Sequence, residues 1–181
     1  MTMSGNKTTL SRRWWLTAMA SSAASFSVAG LAGCGFALRR APNFAFKTLF
    51  SPFPEASPLG MELRRSLESN GAVRVITDVR QIDEADVVLD VLTDRREKVV
   101  VGRNASGQVR EFQLRIRFVF KLRTPRGKEL IPDVEILQQR DISFNESAVL
   151  AKEKEEALLY RDMQSDIVQQ IVRRLAAVTA L

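Results

Sequence analysis

The side chains that most often perform catalysis or hold metals are scarce in this chain. It has no histidine and a single cysteine, Cys34, among 181 residues. Without histidine, a serine or cysteine nucleophile lacks its commonest general base. A single cysteine can form neither an internal disulfide nor a cysteine-rich zinc site. The common hydrolase and metalloenzyme designs are therefore disfavoured, and we predict a protein that is not an enzyme and uses no cofactor.

The surroundings of Cys34 favour covalent modification of the thiol over catalysis by it. The tetrapeptide Leu31-Ala32-Gly33-Cys34 resembles the bacterial lipobox, whose cysteine is acylated after the chain is cleaved in front of it. Small residues precede the cut because the groove of a signal peptidase accepts little bulk there. Several acyl chains would anchor the protein firmly, since each buried methylene contributes about 0.8 kcal/mol. A buried cysteine that packs as a small hydrophobic residue is the alternative.

The segment before Cys34 has the composition of an export signal. Three basic residues near its start are followed by an uncharged run over 14–33, as in a signal peptide. Serines and glycines dilute the run, which makes a retained membrane span the less favoured alternative. We predict a lipoprotein signal peptide over residues 1–33 and a single mature domain over 34–181.

This segment also bears on the export route and the net charge. Ser11–Leu16, SRRWWL, is typical of a twin-arginine signal, and an ordinary secretory signal with two arginines fits the same residues. Removal of residues 1–33 takes away three basic residues and no acidic one, so the formal charge falls from +6 to about +3. A net positive charge this small does not indicate a nucleic-acid partner.

The apolar pattern of the remaining chain predicts elements in the order β-α-β-β-β-β-α. Strands are predicted over 44–50, 72–76, 85–101, 111–123 and 129–144. A bend is expected near Arg95-Arg96, and turns over Gly102–Gly107 and Thr124–Gly127. We therefore predict an α+β fold in which two helices pack on one face of a four- to five-stranded, mostly antiparallel or mixed sheet.

The two helices are predicted from apolar residues that recur at every fourth position. Their apolar stripes are Leu59, Leu63 and Leu67 in the first, and Leu159, Met163, Ile167, Ile171 and Leu175 in the second. Asn70-Gly71 is expected to end the first helix. Asn145 or Ser147 is expected to cap the second. Glu156 and Tyr160 are expected on the side of the second helix that leans toward solvent.

The clearest periodicity lies in Glu111–Arg123, where apolar and polar residues alternate. Because successive side chains of a strand point to opposite faces, one face is apolar and the other basic. The basic face carries Arg115, Arg117, Lys121 and Arg123, and no acidic residue lies between Gln113 and Arg123. Arginine suits phosphate or carboxylate groups, so this face is interpreted as binding a polyanion. A solvated face and a protein-contact face are the alternatives.

Two stretches are similar to the LptE family of lipopolysaccharide (LPS) assembly lipoproteins. In the first, LAGCGFALR over 31–39, Cys34-Gly35-Phe36 and Leu38-Arg39 match the family pattern C-G-F/W-x-L-R. The second, VLAKEKEEALLYRDMQSDIVQQIVRRL, contains a Leu150-Ala151-Lys152 element followed by acidic residues, and ends in Arg174-Leu175. The resemblance covers residues 31–178.

The resemblance implies a Gram-negative outer-membrane lipoprotein that faces the periplasm and is lipid-anchored at Cys34. It implies a 1:1 complex in which the protein plugs the β-barrel LptD, assists its assembly and binds LPS during delivery to the outer leaflet. Gly35 is consistent with sorting to the outer membrane. Arg103 and Lys152 match the family's LPS-binding residues. With the basic residues of the predicted hairpin, the candidate set is Arg103, Arg110, Arg115, Arg117 and Lys152. An auxiliary lipoprotein of another lipid-transport system is the alternative.

Overall fold

The predicted order of elements is confirmed by a computed structural model, which describes residues 42–54, 56–69 and 73–181. The predicted signal peptide, the lipidation site Cys34 and the expected helix end at Asn70-Gly71 lie outside the described residues. The strands are β1 (Thr48–Phe50), β2 (Arg74–Ile76), β3 (Val87–Arg103), β4 (Val109–Arg123) and β5 (Glu129–Ser143). The helices are α1 (Pro58–Glu68) and α2 (Val149–Ala176), with short 3-10 segments at Val79–Glu84 and Glu146–Ala148.

The five strands form one mixed sheet, as the sequence predicts, in the order β2-β1-β3-β4-β5. β1 lies parallel to β2 and β3, whereas β3, β4 and β5 form an antiparallel meander. β1 reaches β3 only at Val87 and Val88. The long hairpins β3–β4 and β4–β5 therefore extend far beyond the short parallel strands, and this extension carries four of the five candidate residues.

Both helices pack on the same face of the sheet, where the apolar side of β4 is buried. Ser57 caps α1 by accepting the N–H of Gly60, and Pro58 takes the first helical position. The predicted stripes are buried against the even-numbered residues of β4: Leu59, Leu63, Leu67, Met163, Ile167, Ile171 and Leu175 pack with Leu114, Ile116, Phe118, Phe120 and Leu122. Burial of such side chains contributes about 1.5–3 kcal/mol each.

Two features of the strands differ from the prediction. The irregularities of β3 fall at Leu92 and Val101, which have no partner in the register, and not at Arg95-Arg96, whose pairing with β4 is regular. A bulge of this kind adds one residue to one strand, so neighbouring charges in the sequence do not mark its position. The first strand begins at Thr48 and not at Phe44, because the backbone bends at Ala45 and Lys47; Phe46 between them packs into the core.

Asp86 joins β1 to the start of β3. Its Oδ2 accepts the backbone N–H groups of Lys47 and Thr48 at 2.8 and 2.9 Å, and its own N–H donates to Thr48 Oγ1 at 2.8 Å. These backbone hydrogen bonds, that of Lys47 above all, hold the pKa of Asp86 below its ordinary value. The carboxylate thus accepts hydrogen bonds from two backbone N–H groups at the point where the parallel strands β1 and β3 meet.

Replacement of Asp86 by alanine is expected to lower the free energy of unfolding by about 2 kcal/mol at neutral pH, because two amides lose a charged acceptor. The loss should shrink below about pH 4. Folding lowers the pKa of Asp86, so its stabilisation is present above the unfolded pKa and disappears as the pH falls through the folded one. Urea titrations across pH would measure this. The exposed Asp133→Ala is the control, and an equal loss in both variants contradicts the assignment.

Candidate functional site

The tip of the β3–β4 hairpin is a turn that is stabilised by hydrogen bonds among its own residues. Asn104 Oδ1 accepts the N–H groups of Ser106 and Gln108 at 3.1 and 2.9 Å, and Gly107 takes a φ of 80°. Only glycine adopts that backbone readily. Arg103 donates from Nη1 to the Gly107 carbonyl at 3.2 Å, and Arg110 lies 3.4 Å from Gln108 Oε1. The turn therefore presents both arginines at one place.

Three of the five candidate cations meet at this end of the sheet. We call it the distal end: the turn over 104–108, the last residues of β5 and the first turn of α2. The carbonyl of Arg110 accepts the N–H of Phe144 at 2.7 Å, which brings the end of β5 beside the hairpin. Lys152 donates from Nζ to Ser143 Oγ at 2.9 Å. Arg103, Arg110 and Lys152 thus come from β3, β4 and α2 to the same end.

Lys152 is held in place before any ligand binds. Besides Ser143, its Nζ contacts Glu155 Oε2 at 2.8 Å, and its side chain is 23% exposed. Asn145 accepts the N–H of Ser147 and so caps the 3-10 segment that leads into α2; α2 itself starts at Val149 without a side-chain cap. Of the two predicted caps, Asn145 is therefore used, but it caps the 3-10 segment and not α2.

Arg115 and Arg117 lie elsewhere, on the face of the sheet opposite the helices, here called the open face. Their cross-strand neighbours are Glu97 and Arg95 on β3, and Gln139 and Leu137 on β5. Arg117 forms a two-pronged ion pair with Glu135 at 3.0 and 2.9 Å, which raises the pKa of Arg117 and lowers that of Glu135.

The open face is mixed in charge, which corrects the expectation drawn from β4 alone. Arg123 pairs with Asp90 at 2.7 Å, and Arg115 donates to Gln113, which in turn donates to Asp141. The acidic residues come from β3 and β5, so inspection of one strand misses them. This arrangement favours the solvated and protein-contact alternatives for Arg115 and Arg117 over a polyanion surface.

A polar network under α2 contradicts the expectation for Glu156 and Tyr160. Glu156 is ion-paired with Lys98 at 2.6 Å. Tyr160 donates to the carbonyl of Glu97 at 2.8 Å, and burial is the main cause of the rise in its pKa. The helical periodicity places both residues beside the apolar stripe, and the partners that draw them inward lie on β3, about sixty residues away in the chain.

Gln164 joins three elements at the centre of this network. It is 7% exposed, and its amide donates to the Pro58 carbonyl at 3.1 Å and to Glu62 Oε2 at 2.6 Å. Its Oε1 accepts from Arg96 of β3. A cleft of about 570 Å³ opens beside it, between the start of α1, β3 and α2. The sequence offered no signal for this site, because these residues lie far apart along the chain.

Replacement of Gln164 by leucine is expected to cost about 1–3 kcal/mol of unfolding free energy, since Arg96 and the Pro58 carbonyl lose their buried partner. Denaturant unfolding would measure the loss. Gln169→Leu, at an exposed position of the same helix, is the matched control and should change stability by less than about 0.5 kcal/mol. Equal effects of the two substitutions would refute a role for the network.

The distal end can bind anions through its cations, but no constellation for catalysis or metal binding accompanies it. Within the described part of the chain, no cluster of three or more histidine, cysteine, aspartate or glutamate residues could hold a metal. None of the helices described there is long and apolar enough to cross a membrane. The architecture is that of a small α+β domain with cations at the distal end of its sheet.

Comparison with known proteins then identifies the family. The model of the LptE family, described as lipopolysaccharide-assembly, matches residues 46–175. The chain belongs to the LptE family. It is 30% identical over 152 residues to the LPS-assembly lipoprotein LptE of Yersinia pestis (strain Pestoides F), covering 82% of this chain and 71% of the relative.

Solved structures share the fold. An uncharacterized lipoprotein B from Nitrosomonas europaea, solved by NMR, is 32% identical with a TM-score of 0.66, covering 79% of this chain and 91% of that one. The rare lipoprotein B from Shewanella oneidensis is 26% identical with a TM-score of 0.59, covering 72% and 95%. These similarities confirm the predicted family and the α+β class.

Proposed function

We propose that this protein is an outer-membrane lipoprotein, acylated at Cys34, that assists LPS assembly. In this proposal it sits as a 1:1 plug in the β-barrel LptD, helps the barrel assemble and binds LPS during its delivery to the outer leaflet. Membership of the LptE family supports the role. The relatives named LPS-assembly lipoprotein LptE support it further. The role is one of binding and placement, not of catalysis.

The distal end is the observation that carries LPS binding. Arg103, Arg110 and Lys152 converge there, and no acidic residue lies between Arg103 and Arg110 in the chain. Large aliphatic side chains are exposed at the same end: Val100, Val101, Val149 and Leu150, the last with 76% exposure. LPS combines phosphate groups with acyl chains, and a surface that combines cations with exposed aliphatic groups complements both parts.

The point where the chain enters the sheet and the distal end are well separated. The chain enters the sheet at Thr48, beside Asp86 at the start of β3. The distal end lies at the other end of β3, a strand of 17 residues. At about 3.3 Å per residue the two ends are roughly 50 Å apart.

The open face is the surface we propose for contact with the barrel. Its ion pairs, such as Arg117 with Glu135, alternate with aliphatic residues, among which Leu137 is 51% exposed. The interior of a transmembrane β-barrel is polar. A surface of paired charges and scattered aliphatic groups suits such a wall, because its charges are already compensated when water is excluded. In this proposal Arg115 and Arg117 contact the barrel, whereas Arg103, Arg110 and Lys152 bind LPS.

Replacing Arg103 and Lys152 together by glutamate is expected to weaken LPS binding at least tenfold, because two attractive contacts to phosphate become repulsive. Co-purification with LptD should persist. Binding of labelled LPS to purified protein measures the first effect. The matched control is Arg126→Glu with Lys128→Glu, the same charge change in the turn at the opposite end of the sheet. Unchanged LPS binding in the double variant would remove these residues as ligands.

The proposed plug should co-purify with LptD in a stable 1:1 complex. Leu137→Asp is expected to reduce the recovery of that complex, since it removes an aliphatic contact with the wall and adds a charge to a face whose charges are already paired. Leu158→Asp, equally exposed on α2, is the control and should leave recovery unchanged. Quantitative co-purification from membranes measures both. Recovery with an inner-membrane transporter alone would contradict the plug and favour the auxiliary lipoprotein of another lipid-transport system.

A further inference from the structure

A small crevice opens at the distal end, between β3, the start of β4, the end of β5 and the first turns of α2. Its volume is about 70 Å³, several times the roughly 10–15 Å³ that one water requires. Four apolar side chains line it: Phe112, Ile142, Phe144 and Val149. The rings of Phe112 and Phe144 meet edge to face at 5.3 Å. The crevice therefore has an apolar lining although it lies among charged residues.

Two lysines also line the crevice, and each is held by a glutamate of α2. Lys98 lies 4.4 Å from the centre of the Phe112 ring and pairs with Glu156 at 2.6 Å. Lys152 pairs with Glu155 at 2.8 Å. Glu153 and Glu156 line the crevice as well. A phosphate beside the crevice would thus compete with these carboxylates for the lysines.

The part of α2 that covers the crevice is attached weakly. No residue over 149–158 is buried, whereas Met163 and the apolar positions after it are. The ion pair of Lys98 with Glu156 and the hydrogen bond of Lys152 to Ser143 connect this part to the sheet. Partly exposed polar contacts of this kind stabilise little. Segments with few buried apolar contacts open locally before the rest of a domain unfolds.

We infer that the crevice receives the end of an acyl chain, with the first turns of α2 as a lid that separates from the sheet to admit it. The inference rests on the proposed binding of LPS and assigns a part of that ligand to a part of the site. The apolar lining takes the chain, and Lys98 and Lys152 exchange their glutamates for the phosphate of the same molecule. The exposed Val100 and Leu150 extend the apolar surface beyond the crevice.

Filling the crevice tests this assignment. Val149→Trp should weaken the binding of LPS to the full chain about tenfold, which corresponds to the loss of one or two buried methylene groups. It should leave unchanged the binding of the same LPS after alkaline removal of its acyl chains. Leu158→Trp makes a comparable change on the same helix outside the crevice and should bind LPS like the parent. Circular dichroism and thermal unfolding confirm that both variants fold.

Methyl NMR of the parent protein gives a second measurement that needs no substitution. LPS should shift the methyl signals of Ile142 and Val149, and the deacylated form should not. Equal binding by Val149→Trp and the parent, or equal shifts with both ligands, would overturn the acyl-chain assignment while LPS binding stands. If the parent protein fails to bind LPS at all, the proposed LPS-binding function fails and the acyl-chain assignment falls with it.

Discussion

Burial of one side of β4 is the constraint on which the rest of the structure depends. β4 lies between β3 and β5, and Leu114, Ile116, Phe118, Phe120 and Leu122 on its helix-facing side are fully buried. A strand with period two must place the alternate residues on the other face. Both helices are therefore drawn to one side, and the arginines of β4 are left on the other. A slip of one residue would exchange the two faces and bury the arginines.

This division gives the domain three surfaces of different composition. The helix-covered face holds the core, the open face holds compensated charges, and the distal end gathers Arg103, Arg110 and Lys152 next to exposed aliphatic side chains. The long hairpin carries the distal end far from Asp86, where the chain enters the sheet. In our proposal the barrel contact and the LPS site therefore lie on separate surfaces of the domain.

Long periodic elements were predictable because their signal repeats along the chain. Local sequence alone predicts the alternation of β4 and the four-residue spacing from Met163 to Leu175, since each pair of residues or each turn adds to the same pattern. The 3-10 segment Val79–Glu84 and the bulges at Leu92 and Val101 were missed. They occupy only a few residues and have no period, so only packing against the sheet defines them.

The sequence by itself determined the fold class, the family and the basic composition of the hairpin, because their patterns can be read along the chain. The lipobox at Cys34 stays a prediction. Tertiary structure decided which charges are neighbours. Glu135 meets Arg117 across strands, and Lys98 meets Glu156 across the gap between sheet and helix. It also assembled the distal end and its crevice from β3, β4, β5 and α2. Electrostatic and packing energies depend on distance in space. Separation along the chain does not give that distance, which is set only when the strands and helices pack together.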